Sequence, residues 1–159
     1  MSSDATLTEH FVVPSAAVPF LVAAAVGVVG GGLVAAVTDP LGWEHGSWAS
    51  AFLVLVVGVG QAVLGAGQVH LGARPDRRTV VAQMVSYDLA SALVILGTLV
   101  TSPALVAVAS ALFLVSLVLF ARVALVEGET GPIRKLYLAV LVLLIVSTPV
   151  GIVLSVVSS

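Results

Sequence analysis

The sequence contains no cysteine, which excludes disulfides, thiolate metal sites, iron–sulfur clusters and a cysteine nucleophile. Charge is nearly as scarce. Asp, Glu, Lys and Arg make up 9% of the 159 residues, against roughly 25% in soluble domains. A net charge of −2, with no basic tract and few aromatic side chains, offers nothing to a nucleic acid. The motifs of soluble catalysis are missing as well. There is no phosphate-binding loop, no G-x-G-x-x-G, no H-E-x-x-H and no visible nucleophile–base–orienter set. The expectation is a protein that is not an enzyme and carries no cofactor.

What is present is apolar. Hydrophobic residues make up 60% of the chain, and the mean hydropathy is +1.22. A globular core would leave much of this surface wet, whereas a bilayer would not. The sequence therefore predicts an all-α integral membrane bundle, a single transmembrane domain over 1–159, multi-pass in the cell membrane, with the lipid bilayer as its first partner.

A spanning helix needs about 20 apolar residues. Five segments qualify, at about 12–37, 48–70, 80–100, 103–125 and 136–157. The first follows S-S-D-A-T-L-T-E-H, which is acidic where a signal peptide is basic. Its apolar run also exceeds the roughly 7–15 residues of a signal, so it reads as a retained helix closed by Thr38, Asp39 and Pro40. At Pro19 the helix either bends or has not yet begun, with Ser15 as its N-cap. The stretch from Val80 to Leu125 is almost wholly apolar and would be about 69 Å long as one helix. It must turn back. Thr101-Ser102-Pro103, a hydroxyl cap followed by proline at the first helical position, marks the turn. Pro149 predicts a kink in the fifth span.

Five spans put all six basic residues, Arg74, Arg77, Arg78, Arg122, Arg134 and Lys135, on one side. That side is cytoplasmic by the positive-inside rule, so the N-terminus is cytoplasmic and the C-terminus external. Trp43 and Trp48 then suit the outer interface.

Two features bear on function. The first two spans are glycine-rich, with Gly27 and Gly31 as a G-x-x-x-G pair and Gly58 and Gly65 on the second span. Small residues let helix backbones approach closely, either within the bundle or against a partner. The second feature is Asp88, roughly 12 Å into the third span, where a charge costs about 2.5–3.5 kcal/mol. Gln61 lies at a matching depth on the second span, and Gln68 matches Gln83. Gln83, Tyr87 and Ser91 form an i, i+4, i+8 stripe beside the acid, and Ser147 and Thr148 reach a similar level on the fifth span.

Asp88 is read as a structural hydrogen-bonding group, as a proton or cation site, or as the mate of a basic group on a partner. Arg122 is either its counter-ion or a residue that snorkels to the headgroups. His10, His45 and His70 do not suggest a haem pocket, and Asp39, Glu44 and His45 match no metal-ligand spacing. Serines within the helices are expected to bond to their own backbones. The functional expectation is an accessory or scaffolding subunit that packs through glycine-rich helices against itself or another membrane protein. The alternative is a small oligomeric transporter or channel that uses Asp88.

Overall fold

The computed structural model describes the backbone of residues 16–157 and the side chains of residues 16–146. Five helices follow one another: α1 Val18–Leu41, α2 Gly46–His70, α3 Arg77–Leu99, α4 Pro103–Val126 and α5 Pro132–Val157. Among the described residues there is no strand. Helices α1 to α4 are each long and apolar enough to cross a membrane. They are rich in valine, a modest helix former in water. Where no water competes, each backbone N–H and C=O must find its partner within the segment, and the helix is the local solution.

Three helices end in the same way. Past α1, Gly42 adopts φ 58°, its N–H bonds the Asp39 carbonyl, and Trp43 N–H bonds the Thr38 carbonyl. Past α2, Gly72 at φ 76° does the same with Val69, and Ala73 with Gln68. Past α3, Thr101 bonds Thr98 and Ser102 bonds Gly97, with Thr101 at φ 50°. Each is a left-handed residue whose turn satisfies two orphan carbonyls. Glycine takes that conformation without strain, whereas threonine does not.

α1 runs four residues beyond the end expected for it, through Thr38, Asp39 and Pro40. A proline ring disfavours the helix behind it. Here the left-handed stop is supplied by Gly42, so the last turn holds until then. At the other end Pro19 sits in the first turn of α1, where its missing N–H costs least. The start at Val12, the Ser15 cap, His10 and the side chains of Ser147 and Thr148 lie outside the described residues, while α5 is helical through Pro149 to Val157. α3 begins at Arg77 rather than Val80, because Asp76 caps it by accepting from the Thr79 N–H at 3.0 Å. α2 carries a π-helical stretch, Leu53–Gly60, that no sequence signal announced.

α1 packs along the length of α2, α3 against α4, and α4 against α5, while α2 also meets α3 and α4. Phe20, Leu64, Tyr87, Leu117, Phe120 and Leu141 form the buried centre, drawn from all five helices. Around it the outward side chains are apolar too, including Val22, Val26, Leu33, Val85 and Leu143. Water would not tolerate such a surface, but lipid would. The 71–76 and 127–131 connections touch at one end. Glu129 N–H bonds the Leu71 carbonyl at 2.8 Å, and Arg74 N–H bonds Glu127 Oε2 at 3.0 Å. All six basic residues lie in or near these two connections.

Candidate functional site

The polar side chains gather on the seams of α2. Gln68 and Gln83 are fully buried and bonded reciprocally, each Nε2 donating to the other's Oε1 at 3.2 and 3.1 Å. Two turns along α2, Gln61 Nε2 donates to Asp88 Oδ1. The antiparallel course of α2 and α3 sets these two rungs, because 61 and 68 rise on one helix as 88 and 83 descend on the other. Gln61 is fully buried and Asp88 half-buried.

Two tyrosines take backbone carbonyls of α2. Tyr87 Oη donates to Val56 O at 2.7 Å, inside the π-helical stretch, and Tyr137 Oη of α5 donates to Leu64 O at 2.9 Å. Each ring passes over a glycine. A β-carbon on Gly60 would run into Tyr87 Oη, and one on Gly67 would lie 2.7 Å from the Tyr137 ring. Gly58 and Gly65, on a different face, admit α1 instead. A β-carbon on Gly58 would meet Val28, and one on Gly65 would meet Phe20. From the α1 side, Gly27 faces the Gly58 backbone, and Gly31 faces Ser50 and Val54. Ser50 Oγ crosses to the Gly31 carbonyl at 2.9 Å. Thus Gly27, Gly31, Gly58 and Gly65 all lie in the contact between α1 and α2 of one chain. Gly30 and Gly32 have nothing within 4 Å of a built β-carbon.

The structure does not gather every polar residue that shares this depth. Tyr87 turns to Val56 rather than to Asp88. Ser91 is buried, and its Oγ has no partner among the described residues. Arg122 is exposed and forms no ion pair with Asp88. Packing gives the reason. Ser116 Oγ donates to Gln83 O at 3.2 Å, and the Tyr87 and Phe113 rings lie 4.8 Å apart. This register sets Arg122 level with Arg77, about 16 Å along the axis from Asp88. An arginine side chain does not close that distance.

Ser116 and Tyr137 complete the polar seam, although nothing local in the sequence marks them. Ser110, Ser86, Thr38 and Thr98 donate to the carbonyl four residues earlier on their own helices. Among the described residues, no three His, Asp or Glu side chains converge as a metal site would require. The hydroxyls of Tyr87 and Tyr137 are engaged with carbonyls, so neither is poised as an acid or base. The arrangement holds helices together, and it places one carboxylate at the middle of α3. The chain matches no protein-family model, no curated protein and no solved structure.

Proposed function

We propose that this chain is a non-catalytic accessory or scaffolding subunit of the cell membrane, with five spans, a cytoplasmic N-terminus and an external C-terminus. One observation carries the reading. The side chains of Gln68, Gln83, Tyr87 and Tyr137 and the amide nitrogen of Gln61 are spent in bonds between helices, with Gln61, Gln68 and Gln83 fully buried. A passage for solutes needs such groups on an open wall, whereas a scaffold uses them as interhelical pegs. The partner is a second copy or another membrane protein. The open glycines of α1, Gly30 and Gly32, let a foreign helix approach closely.

The test is reconstitution of the purified chain into vesicles, with proton and cation flux measured alongside its complexes in mild detergent. The accessory reading expects a stable complex and no flux. Flux that disappears in Asp88→Asn would replace it with the second reading, a small oligomeric transporter using Asp88. That reading draws on Gln61 Oε1 and Ser91 Oγ, which are buried and, among the described residues, unpartnered beside the acid. Orientation is checked by labelling cysteines introduced at Ser3 and Ser158 from outside intact cells. Labelling of the first but not the second would reverse it.

A further inference from the structure

The geometry points to Asp88 and Gln61 as a proton-binding site, in which a neutral carboxyl donates its proton to Gln61 Oε1 while accepting from Gln61 Nε2.

The argument starts from the amide. Gln61 is fully buried, its Nε2 bonds Asp88, and its Oε1 has no partner among the described residues. Turning the amide over does not help. An ionised carboxylate only accepts, so it meets the N–H of a primary amide and leaves the oxygen orphaned. A buried orphan of this kind is destabilising, because its lost hydration is not replaced. A proton on the second carboxyl oxygen removes the deficit. Acid and amide then donate to each other, in the same pattern that Gln68 and Gln83 already form two turns away.

Charge leads to the same assignment. Asp88 lies eleven residues from either end of α3 and is half-buried against apolar neighbours. Among the described residues, the facing elements bring it no counter-charge. α2 offers Gln61, α4 is level with it near Phe113 and places Arg122 about 16 Å off, and Tyr87 is bonded to Val56. An unpaired charge there is expensive, and a neutral acid is not.

A metal cation is the other occupant that oxygen atoms can take. Asp88, Gln61 and Ser91 supply too few oxygens for a hard cation, which takes six or more. The Val56 carbonyl on the facing stretch of α2 is already held by Tyr87. A proton needs only the two oxygens it bridges. The inference goes beyond the accessory role, which neither requires a proton here nor forbids one.

Infrared difference spectroscopy on the full chain in vesicles of neutral lipid tests it. At neutral pH we expect a protonated-carboxyl stretching band that is lost in Asp88→Asn and unaffected by sodium. In Gln61→Leu the band should move to the position of a carboxyl without a hydrogen-bond partner. Asp88→Asn can keep the fold, since two amides pair as Gln68 and Gln83 do, and Gln61→Leu reads the same band with Asp88 intact. The absence of an Asp88-dependent band at neutral pH would overturn the assignment, as would a band that sodium removes or that ignores Gln61→Leu. Vesicle flux is a separate readout, so this inference and the accessory reading stand or fall apart.

Discussion

Gln68 and Gln83 close a ring of two hydrogen bonds across the α2–α3 seam, at 3.1 and 3.2 Å, with both side chains fully buried. Only a side chain carrying donor and acceptor together can pair with its own kind in this way. Gln68→Leu or Gln83→Leu leaves the surviving amide unmet in an apolar seam, and each should destabilise the bundle by about 1–3 kcal/mol. Replacing both should restore most of that loss. Unfolding in detergent of the four proteins gives the coupling, and simple additivity would contradict the pair.

Tyr87 and Gly60 predict a reversal of sign. Tyr87→Phe alone frees the Val56 carbonyl and should cost about 1 kcal/mol. Gly60→Ala drives a methyl into Tyr87 Oη and should cost about 1–3 kcal/mol. Once that methyl is present, removing the hydroxyl relieves the overlap. Tyr87→Phe should therefore stabilise the Gly60→Ala protein, which a melting series with the two singles and the double will show.

Thr101 holds φ 50° at the end of α3, a conformation that a β-branched side chain resists. Its two neighbouring carbonyl bonds keep it there. Thr101→Gly should raise stability by about 1 kcal/mol, and Thr101→Val should not. A drop in melting temperature for the glycine variant would show that the hydroxyl matters more than the backbone.

Asp76 predicts a pH dependence at the opposite end of α3. Hydrogen bonds from Thr79, its side chain foremost and then its backbone, hold this carboxyl below its ordinary value of 3.8. Because the folded value is the lower one, the cap contributes fully above the unfolded value. Its contribution fades as the pH falls below 3.8 through the folded value. The group is exposed, so the effect is small. Melting temperature against pH should fall more steeply on the acid side for the native protein than for Asp76→Asn. Parallel curves would exclude the cap as the cause.

Much of this fold was legible in the sequence, because apolar runs and Pro103 mark their own limits. The α2–α3 rungs were within reach for a related reason. The two helices share the short 71–76 connection, so depth can be counted on both from the same end. Arg122 shows where that method stops. Its depth was counted from its own helix end, but the register of α4 on α3 is fixed by contacts at Ser116 and Phe113. Tyr137 was hidden for the same reason, since it is 73 residues from the carbonyl it meets. The spacing of seven from Gly60 to Gly67 was visible. What it lacked was any sign that tyrosines, rather than a helix, would fill the space.

The reliance of α2 on later helices imposes an order in time. When α2 leaves the ribosome, α1 is the described helix there to receive it, and their contact is made largely of glycines and aliphatic side chains. Gln61 and Gln68 have no mates until α3 follows, and the Leu64 carbonyl waits for α5. The first hairpin is thus a provisional structure, carrying two bare amides into lipid. A chain released after His70 should be the most readily degraded intermediate of synthesis, and one extended through Leu99 the first to resist.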